Sequence, residues 1–514
     1  MNLSVRSWKR GSFSQRVSFS LLPAASCHPG HQPSFVRRQA LIVHRGSFFA
    51  RRAVCCALPA AFCLLRLAAT PDLMAQITSG PPSNLRLSDA ISATSGANPE
   101  DRMVAEVSAA RQAIRAQPDS AASYLSLGVA LKAAGEQESA LKAFQKALDC
   151  DPRLAEAWFE KGLLEADVQK WSPAAGDFRR AVEASSNHID ARLELGEMLL
   201  RLGDFEQAGG ELDTVLRLDP RNAGAPYGLG LVRLQQGDLP AAEADFRQAI
   251  SLRANFVAAL EGLGQTLLRQ HQWSTAAAAF EQALAGNSRS LEATNGLGTA
   301  LARLGQRARA AEEFQKAREL SRGDLMFHRA QGENNRGLEL WHAGDLAGAT
   351  AAFRAAITAD GGYAEPHNNL GGVLWQMKNR NGALAEFQAA IRCRPDFAEA
   401  HNNWGSALVY AGDIEHGIEQ FRTALAERPG FPSARFNLAM ALSKKRDTIG
   451  AEAELHRTLL FDPQMAAAHI ELGLLLASKA GGLSPDARYE LSEGLRLDAR
   501  LRSLVPDTFL EGLR

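Results

Sequence analysis

The sequence predicts an all-α solenoid of about eleven helix-turn-helix units. Three sets of residues, locked to one beat, carry that prediction. Glycines fall 34 residues apart at Gly128, Gly162, Gly196, Gly230, Gly264 and Gly298, then resume after a five-residue slip at Gly337, Gly371 and Gly405. Ala439 and Gly473 take the last two slots. A large apolar residue keeps the same spacing: Phe144, Phe178, Leu212, Phe246, Phe280, Phe314, Phe353, Phe387, Phe421 and Leu455. So does a small one, at Ala147, Ala181, Val215, Ala249, Ala283, Ala317, Ala356, Ala390 and Ala424. A fixed period of this length marks a stack of like units.

One unit, Ala121 to Leu154, shows why each element forms. Tyr124, Leu127, Gly128 and Leu131 follow the i, i+3, i+4, i+7 rule and share one helical face. Gly135 suits the end of that helix, because it takes a left-handed conformation without a Cβ clash. Ala140, Phe144 and Ala147 mark the face of a second helix, and Asp151-Pro152 ends it, since proline cannot continue the hydrogen-bond ladder. Glycine and alanine permit close helix crossing, while the phenylalanine supplies about 1.5–3 kcal/mol of burial. A lone hairpin cannot cover both of its faces, so the units are stable as an array with polar end caps.

The opening aromatic-x-x-Leu-Gly-x-x-Leu, the Ala-x-x-x-Phe-x-x-Ala middle and the closing proline read here as Tyr124, Leu127, Gly128, Leu131, Ala140, Phe144, Ala147 and Pro152. This pattern closely resembles the tetratricopeptide repeat (TPR) family over roughly three quarters of the chain. The resemblance implies a right-handed superhelix whose first helices line a concave groove for peptides or protein segments.

The organisation follows. Residues 1–76 read as a targeting leader with a signal-like core at 51–76, and 77–98 as a Ser/Pro/Gly/Ala-rich flexible linker. Residues 99–120 form an N-terminal capping helix. Units 1–6 span 121–324, an insertion occupies 325–329, units 7–11 span 330–499 and a tail closes 500–514. The insertion is expected to lengthen a helix or bend the array. The leader is expected to be disordered.

Residues 1–71 hold ten Lys/Arg and no acidic residue, which leaves 47 basic (57 − 10) against 57 acidic residues beyond them. A mildly acidic array argues against a nucleic-acid backbone as partner. Arg51-Arg52 precede a 13-residue apolar run, Ala53 to Leu65, followed by small residues. That order describes a secretory signal, and the run is too short for an ordinary membrane span. Export to the periplasm or outside the cell is the expectation. The alternatives are an organelle transit peptide, or a cytoplasmic protein whose leader does not work. A signal should begin near residue 1, so the true start of translation stays open.

No phosphate-binding glycine loop, His-Glu-x-x-His or Gly-x-Ser-x-Gly is present. The reading therefore names no catalytic residue, no metal ligand and no cofactor. Four of six cysteines precede the array, and Cys150 and Cys393 lie in distant units, so no disulfide framework is implied. His367, His401 and His469 share the fourth position of their units, where they are expected to pack rather than share a metal, because neighbouring helices lie about 8–10 Å apart.

One feature goes beyond scaffold. With the glycine counted eighth, the sixth slot holds Asn335, Asn369, Asn403 and Asn437 in four consecutive units, and the fifth adds Asn334, Asn368 and Asn402. An amide offers both donor and acceptor, so such a ladder could hold a peptide backbone without reading its side chains. Trp341 and Trp375, both twelfth, would stand on the same wall and could stack on a ligand or pack between repeats. His-Asn-Asn-Leu-Gly (367–371) and His-Asn-Asn-Trp-Gly (401–405) are similar to the repeats of protein O-GlcNAc transferases, where such asparagines grip the substrate backbone. The first six units carry Ser126, Glu160, Glu194, Gly228, Gly262 and Gly296 in the sixth slot, which suggests an acidic and glycine-lined groove there.

The expected function is a non-enzymatic protein-protein interaction scaffold binding extended segments in its groove, in a bacterial cell envelope. The alternative is a substrate-recruiting, non-catalytic relative or subunit of an O-GlcNAc-type transferase, since only about sixteen residues follow Asp498. The sequence leaves partner and oligomeric state open.

Overall fold

The computed structural model describes residues 99–513. The leader and linker readings (1–98) lie outside the described residues. Among the described residues every regular element is a helix. Helix α1 (Pro99–Ala116) precedes antiparallel pairs: α2 (Ala121–Ala133) with α3 (Gln137–Cys150), α4 (Ala155–Asp167) with α5 (Trp171–Ala184), and α6 (Ile189–Leu202) with α7 (Phe205–Leu218). Next come α8 (Gly224–Gln236) with α9 (Leu239–Leu252), and α10 (Val257–Arg269) with α11 (Trp273–Gly286). Helix α12 (Leu291–Arg303) leads into α13 (Arg307–His342), and α14 (Leu346–Ala359) follows. Then α15 (Ala364–Gln376) pairs with α16 (Arg380–Cys393), α17 (Ala398–Ala411) with α18 (Ile414–Glu427), α19 (Pro432–Lys444) with α20 (Thr448–Phe461), and α21 (Ala466–Ala480) with α22 (Pro485–Leu497). A 3-10 turn (Ala499–Leu504) and α23 (Asp507–Gly512) end the chain, seating Val505 and Leu510 on Ile470 and Leu491.

The turns are built as the composition suggested. Gly135 follows α2 with φ of 85°, the left-handed conformation glycine accepts freely. Gln169, His271, Lys378 and Arg446 take the equivalent turn with φ of 62–67°, a conformation L side chains rarely adopt. Second helices start on side-chain caps: Asp204, Asp238, Asp345, Asn379, Asp413 and Asp447 each accept a backbone N–H three residues on.

The slip at 325–329 sits inside α13, which runs 36 residues without a break. Units 1, 3, 8, 9 and 10 end with prolines (Pro152, Pro220, Pro395, Pro429, Pro463), whereas no proline interrupts 307–342. The second helix of unit 6 therefore continues into the first helix of unit 7.

The contacts divide the described residues into two compact units, one holding 153–322 and the other holding 99–152 with 323–513. In the first, Phe178, Leu212, Phe246 and Phe280 are buried completely or nearly so. A Cβ built on Gly230 or on Gly262 would meet the Phe246 ring at 2.7 and 2.6 Å. The ring is held between a glycine of its own unit and a glycine of the next. Gly228 and Gly296 receive Leu212 and Phe280 in the same way. The sixth-position glycines thus serve as sockets for the preceding second helix, a correction to the glycine-lined groove expected for these units.

In the second compact unit Phe144, Phe353, Phe387 and Phe421 are fully buried against the glycine of their own unit, Gly128, Gly337, Gly371 and Gly405. Here α1–α3 also pack against α18–α20 through residues some 300 positions away in sequence. Arg435 is fully buried and pairs with Glu100 at 2.9 Å and Glu454 at 3.1 Å, while its Nη2 donates to the Pro429 carbonyl at 2.6 Å. Arg111 Nε donates to the Leu460 carbonyl at 2.7 Å. The Gly430 N–H donates to the Ala134 carbonyl at 3.1 Å.

Candidate partner-binding face

The fourth slot of each unit shows how polar residues are absorbed. His367 Nδ1 pairs with Glu386 at 2.7 Å and His401 Nδ1 with Gln420 at 2.7 Å. His469 Nδ1 pairs with Glu490 at 2.5 Å, and its Nε2 with the Pro463 carbonyl at 3.0 Å. Burial alone would lower the His469 pKa, but the bonds to Glu490 and Pro463 outweigh it and raise it. Arg192 and Arg435 fill the same slot and find Glu211 and Glu454. Each residue is matched to an acid or amide on the second helix of its own repeat. Trp158, also in this slot, is half-buried with the Lys161 ammonium 5.3 Å from its ring centroid. Among the described residues no group of three or more His, Cys, Asp or Glu converges on a metal position.

The asparagines form a ladder of their own. Asn369 Nδ2 donates to Asn334 Oδ1 at 3.0 Å, Asn403 to Asn368 at 2.9 Å, and Asn437 to Asn402 at 2.9 Å. Asn437 also reaches Ser406 Oγ at 3.2 Å. All six are at most 4% exposed. The sixth residue of one unit is thus spent on the fifth residue of the unit before it. These amides tie adjacent first helices together; they do not lie open as a backbone-gripping row. Asn335 differs: it is exposed on the long helix α13.

The tryptophans do reach the surface. Trp341 is half-buried, edge-on to Phe353, and its Nε1 donates to Gln376 Oε1 at 2.8 Å. Trp375 meets Tyr410 edge-on at 5.1 Å. The Arg380 guanidinium lies 3.9 Å from the Trp375 ring centroid and 4.8 Å from that of Tyr410, and Arg380 Nη1 donates to the Trp375 carbonyl at 2.5 Å. Tyr410 is 55% exposed and neighbouring Met377 46%. Aromatic side chains from three consecutive repeats therefore make one surface strip, stiffened by a stacked cation.

Sequence reasoning named Trp341 and Trp375 and missed Tyr410, Arg380 and Met377. The signal was an offset of 35 residues, one repeat plus one. It links Asn334 to Asn369, Asn368 to Asn403, Asn402 to Asn437, Trp341 to Gln376 and Trp375 to Tyr410.

In the compact unit of residues 153–322, Glu197, Glu261 and Glu292 lie near Tyr227, whose hydroxyl is raised first by burial and then by these carboxylates. Glu292 is pushed up to about 7 by burial and by Glu261. Glu261 accepts a hydrogen bond from Ser290 Oγ at 2.5 Å.

The repeat geometry and its sequence pattern agree with the family-model comparison. Models described as tetratricopeptide repeat match residues 107–155, 159–220, 193–256, 261–324 and 402–454, and a second such model matches 340–402. The matched segments cover more than half of the chain, and the chain belongs to the tetratricopeptide repeat family. Among solved structures it is similar to YrrB, described as a TPR protein with an unusual peptide-binding site, at 22% identity, TM-score 0.34, and 36% of this chain against 95% of that one. It is also similar to pilF of Pseudomonas aeruginosa at 20% identity, TM-score 0.35, and 39% of this chain against 91% of that one. A thermophilic TPR protein of Thermus thermophilus aligns at 25% identity, TM-score 0.29, covering 35% of this chain and 99% of that one. No curated protein matches the chain. Among the described residues no helix is long and apolar enough to cross a membrane.

Proposed function

We propose that this chain is a non-enzymatic scaffold that holds an extended segment of a protein partner along the Trp341–Trp375–Tyr410 strip. The observation that carries this reading is that rings from three consecutive repeats reach the surface, Trp341 and Trp375 half-buried and Tyr410 55% exposed, with Arg380 lying against Trp375 and Tyr410. Preordered aromatic rings bury area on a partner at little cost in conformational entropy. Repeats about 10 Å apart match about three residues of extended chain at about 3.3 Å each. The partner would present an apolar or aromatic side chain at every third position. Asn335, exposed on α13, is the ladder residue left able to meet a partner's backbone, while the buried asparagines hold the first helices in register beneath the strip.

A peptide array screened with the purified protein checks this. Peptides with the i, i+3, i+6 apolar pattern should be retained. The Trp375→Ala/Tyr410→Ala double variant should weaken their binding by about 30-fold, the loss expected of about 2 kcal/mol at an aromatic hot spot. Unchanged binding would remove the strip from the function.

We place the scaffold in the cell envelope, on the strength of Arg51-Arg52 and the Ala53–Leu65 apolar run. Fractionation with N-terminal sequencing of the native protein should find it outside the cytoplasm, cleaved after the small residues that follow Leu65. An intact leader on a cytoplasmic protein would contradict the placement.

A further inference from the structure

The contact between α1–α3 and α18–α20 has the chemistry of a joint rather than of a core. The ion pairs and hydrogen bonds that cross it come from charged side chains and backbone. At one node, buried Arg435 joins Glu100 of α1 to Glu454 of α20, and Arg457 adds Asp101 at 3.6 Å. At the other, Arg428 pairs with Glu399 at 2.6 Å and with Glu136, at the start of α3, at 3.6 Å.

Two residues show how the joint closes. Gly430 stands where units 1–5 carry Arg153, Asn187, Arg221, Asn255 and Arg289, and where unit 7 also carries a glycine, Gly362. A Cβ at 430 would meet the Ala134 carbonyl oxygen at 2.6 Å, so the backbones approach only because residue 430 is glycine. Glu136 stands where six other units carry a capping Asp or Asn, yet its side chain makes no cap hydrogen bond and turns to Arg428 instead. Both residues serve the same contact.

We propose that α1–α3 form a releasable clasp on α18–α20, closed by the Arg435 and Arg428 nodes, and that the charge on Glu136 sets how firmly it holds. The Arg428 node carries too much negative charge for one guanidinium. Glu136 faces Arg428 and Glu399 across the joint, Asp462 just beyond α20, and Glu138 on its own helix. Burial pushes the Glu136 carboxyl up from its ordinary 4.5 to about 7; Arg428 opposes the shift, while Asp462, Glu399 and Glu138 add to it.

The sign follows from linkage. The closed clasp binds a proton at Glu136 more tightly than the open one, so closure gains as pH falls through about 7 and that gain is lost as pH rises past it. For carboxyl values of about 7 closed and 4.5 open, the closed-to-open ratio drops about 30-fold between pH 5.5 and 8.

Amide hydrogen exchange on the full chain, corrected for intrinsic rates, tests this. Protection of peptides covering 131–136 and 428–435 should fall about 30-fold from pH 5.5 to 8, relative to peptides of α10 and α11. Glu136→Gln should hold it near its low-pH level throughout. Gly430→Arg, which restores the residue type of other units, should strip protection from both segments at every pH. A flat profile in the native chain, a pH dependence that survives Glu136→Gln, or full protection in Gly430→Arg would overturn the clasp.

Discussion

Truncating Phe280 to alanine is expected to cost about 3–5 kcal/mol, the range for deleting a fully buried phenylalanine. The ring is completely buried, and it packs against Gly264 of its own repeat and Gly296 of the next. Its removal opens a cavity at the junction of three helices, α10, α11 and α12. Small residues line that cavity, among them Ala276 and Ala293, and these have little side chain with which to fill it. In a repeat array the loss is felt first by the repeat and its neighbours. Chemical denaturation should show a lower midpoint, and exchange protection should fall most in α10–α12. A change below about 1 kcal/mol would mean that the ring-between-glycines arrangement does not hold the stack together.

Arg435→Ala should cost a similar amount, about 3–5 kcal/mol, for a different reason. Removing one partner of a buried ionic group leaves the others with charge that is poorly compensated. Glu100 and Glu454 would lose the Arg435 guanidinium, and Glu454, itself only 12% exposed, would keep only the half-exposed Arg457 at 2.9 Å of the two guanidinium partners described. The Pro429 carbonyl would lose two guanidinium donors at 2.6 and 3.2 Å. Arg435→Met with Glu454→Gln should cost less, because the more buried of the two carboxylates is then neutral and the guanidinium volume is filled by an apolar chain. Denaturation midpoints of the two variants check this. Equal losses in both would show that the site responds to volume and not to charge.

Much of the fold was legible because its causes are local. Glycine at the eighth slot, phenylalanine in the second helix and a turn residue near the fifteenth position recur often enough to fix the helix pairs and their number. The slip at 325–329 was visible as a count, and the lack of proline around it is what lets α13 run through. The clasp was not legible. Arg435 occupies a packing slot where other units carry Tyr124 or Trp158, and its partner Glu100 is far away in sequence, so only packing reveals the pair. The asparagine ladder was visible by residue type, but its partners were not. Whether a sixth-position amide faces a groove or the neighbouring repeat depends on the crossing angle of successive first helices. The pairs Asn369–Asn334 and Asn403–Asn368 settle that angle in favour of the neighbour. Tyr410 and Arg380 escaped notice because a reading in steps of one repeat overlooks contacts one residue further on.

The central claim separates two roles on one set of helices: asparagines that pin the repeats and aromatics that meet the partner. The most direct measurement is peptide binding by Trp375→Ala/Tyr410→Ala beside Asn403→Ala, with the folded fraction of each fixed by circular dichroism. The account predicts that the aromatic variant stays folded and loses about 30-fold in affinity. It predicts that Asn403→Ala loses about 1–3 kcal/mol of stability, the cost of orphaning the buried Asn368 carbonyl, while its folded fraction binds as the native chain does. Binding that depends on Asn403 and not on Trp375 and Tyr410 would contradict it.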